Sequence, residues 1–399
     1  MRTLAVWFVV VPAAVAAPGD VGTPEHARAA ELVKQLGHNR YPVREAAAKQ
    51  LLEMGGAAAA ALREGQKSAD EEVRAKCVAL LPRAVALDWE RKAAAYLADA
   101  DGTQKHDLPL LAAFEKMVGK PDAEARKLFA AMLKANGPLF ETAATDPKAA
   151  PKALADRVRI LQESHLSGNA QVKMDPAEIA SVLLVQSLVK ERAAAPTDWR
   201  NVPGRLLSNP GVADAIGTAA FRKVVAGWAA ALPSGENMSS QFFCMAARKY
   251  SIPEATPALI KAATDKTANA MTVRVIAVEA LGKAGGAEAT AALESILTDE
   301  TAVINFNNGG GETYLIGDAA LAALVAIHKK DRKDYGFGSE MNIGFAFGNG
   351  NRQDDVIMLN LIGFMSTEAR KKAVEKWKTE KARGKDAAPK GKEEAPKKK

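Results

Sequence analysis

The chain has 399 residues, 48% of them hydrophobic but only 6% aromatic. A large core is therefore available, though with few of the bulky rings that fill sheet-based cores. The net charge of +7 is concentrated at the end, where 370–399 holds 13 Lys/Arg against 5 Asp/Glu. This leaves a near-neutral body, so the high net charge gives no evidence for a basic nucleic-acid-binding face on it.

The first 17 residues read as a signal peptide. Arg2 supplies the positive charge, 4–11 the apolar run, and Ala14-Val15-Ala16 a small-x-small cleavage site. The apolar run is shorter than the roughly 20 residues of a membrane-spanning helix, and no later segment has that length. The expectation is an exported protein, periplasmic or secreted after cleavage. Alanine runs at 57–61 and 193–195 favour thin helices that approach one another closely. The two cysteines, Cys77 and Cys244, are too few for a disulfide framework and read as buried free thiols.

Residues 23–87 carry a repeated pattern. Tyr41-Pro42-Val43-Arg44-Glu45-Ala46-Ala47 is followed by Leu51-Leu52, and Glu71-Glu72-Val73-Arg74-Ala75-Lys76-Cys77 by Leu80-Leu81. Both place apolar residues at the i, i+3/i+4, i+7 spacing of one helical stripe. Gly37, Gly55-Gly56 and Pro82 are read as the stops between helices.

From 88 to 250 the repeat fades into irregular helices, expected at 88–98, 108–118, 123–135, 151–165, 176–193, 219–231 and 238–250. Asp107 and Asp146 are candidate caps, and Pro121, Pro147 and Pro176 suit first turns. Asp99-Ala100-Asp101-Gly102 superficially suggests a calcium loop, but position 12 of that loop is Leu110 rather than a bidentate glutamate.

The repeat returns in 251–335, with Thr272-Val273-Arg274-Val275-Ile276-Ala277 before Ala280-Leu281-Gly282, and a worn copy starting at Gly317-Asp318-Ala319-Ala320. It is interrupted at 302–316, where strand-type residues flank Asn307-Asn308-Gly309-Gly310-Gly311, predicting a β-hairpin. Within 336–383, an irregular glycine-rich loop at 336–350 precedes a final helix over 367–381. The basic tail, 384–399, has the composition of a disordered segment.

The Val-Arg helix starts at Val43, Arg44, Val73, Arg74, Val273 and Arg274, with Asp318 in the fourth copy, resemble those of HEAT repeats, members of the armadillo-type α-solenoids. The chain departs from that pattern six residues before each Arg, where an Asp is common and His38, Ser68 and Ala268 stand instead. Part of the chain is similar to exported bacterial HEAT-repeat proteins of unassigned activity. The residues concerned are Gly317-Asp318-Ala319-Ala320-Leu321-Ala322-Ala323, Lys333-Asp334-Tyr335-Gly336-Phe337, Gly363-Phe364 with Arg370, Ala373 and Trp377, Asp107-Leu108-Pro109, and Ala125-Arg126-Lys127-Leu128-Phe129. The resemblance implies an all-α solenoid of helix pairs with an irregular middle and one hairpin insertion. It implies export and supplies no reaction.

No local motif supplies chemistry. His26, His38, His106, His165 and His328 do not pair at ligand spacing, there is no nucleophile elbow, and 344–350 lacks a phosphate-loop Lys-Ser/Thr. No catalytic residue, metal or cofactor is assigned. The functional expectation is a non-catalytic protein-interaction scaffold or adaptor with a protein partner of unknown identity. Its alternative is an enzyme or small-ligand-binding protein with a site among the central helices. Phe306, Asn307 and Tyr314 of the hairpin are the candidate partner contacts, and the basic tail is a candidate for weak contact with an anionic surface. No specific nucleic-acid contact and no transmembrane span are expected.

Overall fold

The computed structural model describes residues 23–163, 173–189, 204–233, 237–267, 271–305, 313–338, 340–346 and 356–386. The fold is all-α with two small antiparallel hairpins, and it divides into a unit ending at His106 and a unit beginning at Asp107.

The first unit contains α1 (Pro24–Gln35), α2 (Tyr41–Met54), a 3-10 turn (Gly55–Ala58), α3 (Ala59–Gly65) and α4 (Glu71–Ala98). Its helix starts are chemically marked. Thr23 accepts a bond from the His26 amide ahead of Pro24, and Asp70 accepts from the amides of Glu72 and Val73 at 2.8 and 3.2 Å. Each such cap satisfies donors that the helix cannot bond itself, contributing about 1 kcal/mol. Leu32, Leu36, Leu51, Leu62, Val73 and Cys77 close into one buried cluster.

Pro82 does not stop a helix. It lies inside the 28-residue α4, which also crosses the boundary expected at 87/88. A proline there costs about 3 kcal/mol in a lone helix. Val73, Cys77, Leu80 and Ala84 form one buried stripe, and Trp89, Ala93 and Tyr96 form a second on another side of the helix beyond the proline. That burial offsets the lost hydrogen bond.

The second unit begins with α5 (Leu111–Val118), α6 (Ala123–Thr145), α7 (Ala150–Leu161), α8 (Pro176–Leu188), α9 (Pro210–Ala215) and α10 (Ala219–Ala230). Leu110 takes a left-handed φ of 62° and delays α5 by three residues from its expected start, so Asp107 is no cap. Helix α6 runs ten residues past its expected end, with a break in helical geometry at Asn136 just ahead of Pro138. Asp146 behaves as expected, accepting from the amides of Lys148 and Ala149. Phe114, Phe129 and Phe140 form a buried ring chain with centroids 5.0 and 6.1 Å apart. Trp228 of α10 donates its indole N–H to Gln186 of α8 at 2.6 Å, which keeps a buried polar pair satisfied.

From α10 onward the helices alternate between two rows. Helices α11 (Asn237–Tyr250), α13 (Met271–Ala284) and α15 (Ile316–Ile327) pack in succession. So do α10, α12 (Thr256–Thr264) and α14 (Gly286–Ser295). A Cβ on Gly282 of α13 would come within 2.9 Å of the Ala323 Cβ of α15, so small residues let these two helices touch.

The predicted hairpin exists, as β1 (Ala302–Asn305) paired with β2 (Thr313–Leu315), with a register irregularity between 302 and 304. Helix α15 begins directly at Ile316. A second hairpin corrects the expectation of one. β3 (Glu340–Ala346) and β4 (Val356–Ile362) pair continuously from Glu340↔Ile362 to Ala346↔Val356, where β3 falls in the segment expected to be an irregular loop. Gly344 interrupts the strand-type residues of β3, and the apolar run of β4 supplies the partner that overrides it. Helix α16 (Thr367–Asp386) is longer than expected and takes in the first residues assigned to the tail. Residues 1–22 and 387–399, where the signal peptide and most of the tail were placed, lie outside the described residues. No described helix is long and apolar enough to cross a membrane.

Candidate interaction cleft

The turn that follows α14 is built around Asp299. Its carboxylate accepts from the Thr301 amide at 2.9 Å, and its carbonyl accepts from the Gly317 amide at 3.0 Å. Arg274 reaches this turn from α13, only 2% exposed. Its Nε donates to the Ala263 carbonyl at 2.9 Å, Nη1 to Thr301 Oγ1 at 3.2 Å and Nη2 to Asp299 at 2.5 Å. Burial pushes the Asp299 carboxyl up, but bonds from Thr301 and Arg274 outweigh it and hold it at about 2.

A second buried pair lies close by. Arg370 of α16 donates through Nε and Nη2 to the two oxygens of Asp318 at 2.6 and 2.9 Å. Asp318, 1% exposed, also accepts from the Leu315 amide at 3.2 Å and so caps the start of α15. Burial raises the Asp318 carboxyl above the usual carboxylate range, against the pull of Arg370. Gly317 is forced to be glycine by contact, since a Cβ there would sit 2.5 Å from the Leu297 carbonyl oxygen.

Between these pairs opens a cleft of about 710 Å³, within the size range of ligand sites. One wall is the turn with Thr298, Asp299 and Glu300, the other a single stripe of α16 running from Thr367 through Arg370, Lys371 and Val374 to Lys378. Leu297, Leu315 and Val374 give it apolar surface. Lys378 pairs with Glu375 at 2.8 Å, whereas Lys371 and Glu300 have no ion-pair partner among the described residues.

Helix α16 is fastened largely by polar contacts. Besides Arg370, Glu380 accepts from Lys330 and from Tyr335 at 2.7 Å, Lys376 donates to the Asp334 carbonyl at 2.7 Å, and Lys381 pairs with Glu294. Its buried apolar residues are Ala373, Val374 and Trp377, the last covered edge-on by His328 at 5.0 Å.

The residues singled out from the sequence separate into two groups. Arg274 and Asp318 do not line the cleft themselves, but each holds a residue that does, Asp299 and Arg370 respectively. Arg44 and Arg74 serve the first unit, where each turns back on the chain: Arg44 donates to the carbonyls of His38 and Asn39, and Arg74 to those of Ser68 and Ala69. Val43 is half-buried, and Val73 and, in the second unit, Val273 are buried. Tyr314 is 3% exposed, so its ring belongs to the packing of the hairpin, and Phe306 and Asn307 lie outside the described residues.

One arginine of the same kind was missed. Arg222 donates to the carbonyls of Ile216 and Gly217 at 3.0 and 2.9 Å, five and six residues back, as Arg44 and Arg74 do. In all three the arginine stands four residues after the helix N-cap, at Arg40, Asp70 and Thr218. That spacing was the available signal. The guanidinium thus does with backbone carbonyls what an aspartate six residues back would have done. Arg44 and Arg222 also reach a glutamate beyond their own helix, Glu72 at 2.9 Å and Glu254 at 2.8 Å.

Asp99 is occupied by its own loop. It accepts from the amides of Thr103 and Gln104 at 3.1 Å and pairs with His106 at 2.9 Å; against the effect of burial, these partners hold its carboxyl below the usual range. Cys77 and Cys244 are free and buried, and burial pushes both thiols up. Among the described residues no three His, Cys, Asp or Glu side chains are grouped to hold a metal ion. No family model matches the chain, and neither a curated protein nor a solved structure shows significant similarity to it.

Proposed function

We propose that this chain is an exported, HEAT-type helical-repeat protein that acts without catalysis, by holding a protein partner at the cleft between the Asp299 turn and α16. The observation that carries the reading is the alternation of α10 to α15 between two rows. Helix pairs stacked in that manner bury one face each and leave continuous lateral surfaces, which suit extended partners. The arginine brackets at Arg44, Arg74 and Arg222 add support, because one capping device recurs at several helix starts.

A photo-crosslinking amino acid placed at Lys371, with Lys148 as a remote control position, tests this in native extracts. The expected result is a discrete adduct from position 371 that excess unlabelled protein competes away. Equal, non-competed labelling at both positions would overturn it.

A further inference from the structure

The two walls of the cleft differ in sign where they are not already neutralised. On the turn, Asp299 is engaged by Arg274, which leaves Glu300 as the exposed acid. On α16, Arg370 is engaged by Asp318 and Lys378 by Glu375, which leaves Lys371 as the exposed base. The stripe from Thr367 to Lys378 is roughly 16 Å long at the helical rise. An extended chain of roughly five residues spans that length.

Successive side chains of an extended strand point to opposite sides. A strand lying along the cleft therefore sends neighbouring residues to opposite walls. An acidic residue beside a basic one would place its carboxylate toward Lys371 and the neighbouring ammonium toward Glu300. Apolar residues flanking that pair would cover Leu297, Leu315 and Val374. A purely acidic or purely basic segment would satisfy one wall and meet like charge on the other.

We infer that the cleft binds a short extended peptide segment in which adjacent acidic and basic residues are flanked by leucine-like side chains. This rests on the protein-binding reading above and specifies its partner.

The test uses fluorescein-labelled peptides Leu-Glu-Lys-Leu, Leu-Glu-Glu-Leu and Leu-Lys-Lys-Leu, each with alanine at both ends, and the full chain in low salt, read by fluorescence anisotropy. The mixed peptide should bind best, and Lys371→Glu should weaken it roughly five-fold, the scale of one exposed ion pair. Both positions are exposed, so the variants should fold; circular dichroism checks this. The double reversal Lys371→Glu with Glu300→Lys should recover binding of the mixed peptide while neither single reversal does. Equal affinity for the three peptides, or insensitivity to both reversals, would overturn the inference. If position 371 still yields a competed adduct that the mixed peptide cannot displace, the partner reading stands and this occupant falls.

Discussion

Arg370 and Asp318 meet through two parallel hydrogen bonds of 2.6 and 2.9 Å across 52 residues of chain. The geometry ties the start of α15 to the start of α16 at a place where Asp318 has no access to water. Removing the base alone leaves a buried carboxylate without a counter-charge, a loss of about 3–5 kcal/mol. Arg370→Leu should therefore lower the urea midpoint far more than the paired change Arg370→Leu with Asp318→Leu. Equal destabilisation by the single and the double variant would show that the pair is not coupled.

Asp299 predicts an acid limb in the stability profile. Its carboxyl titrates at about 2 in the folded chain, below the roughly 3.9 of an unfolded aspartate. A depressed folded value stabilises fully above the unfolded one, and that contribution is lost as pH falls from about 4 through about 2. The amount is on the order of 2 kcal/mol. Asp299→Asn should flatten this limb in denaturant titrations between pH 5 and pH 2, and an unchanged slope would contradict the assignment.

Gly317 should tolerate no side chain. Alanine there would drive its Cβ to 2.5 Å from the Leu297 carbonyl oxygen, and backbone on both sides must shift. Overpacking of this sort costs about 1–3 kcal/mol. Gly217→Ala, where nothing lies within 4 Å, is the matched control. Thermal unfolding of the two variants should separate them by several degrees.

Salt should loosen α16 before it loosens the rows. Exposed and half-exposed ion pairs are screened at high ionic strength, whereas apolar burial is not. Hydrogen exchange at 0.5 M sodium chloride should quicken in 367–386, held through Glu380 and Lys381, and leave α13 unchanged. Uniform quickening, or none, would count against a polar attachment.

Much of the helical content was legible because alanine-rich stripes with cap residues leave a helix little alternative. Asp146, which accepts from the amides that follow it, and Pro176 in the first turn of α8 are instances. Helix ends were read less well, since burial decides them. Pro82 was overruled by Trp89 and Tyr96, and the break at Asn136 did not end α6. The β3–β4 pairing depends on cross-strand contacts, which local periodicity does not encode. Behind the cleft, Arg274 and Asp318 stood out as helix-start residues, but the partners that line it, Asp299 and Arg370, are 25 and 52 positions away. Only the fold brings them together.

The dependence of α16 on charged contacts bears on self-association. A stack of helix pairs can, in principle, lengthen by adding another copy end to end, since its last pair offers the same kind of surface as those inside. In this chain the last described helix, α16, is lysine-rich and held by Asp318, Glu294 and the Lys330–Glu380 pair. A neighbouring copy arriving there would meet exposed lysines such as Lys371, Lys372 and Lys378 instead of an apolar face. On the proposed helical-repeat reading, α16 would disfavour end-to-end association on that side, and its polar attachment would make this sensitive to the ionic surroundings.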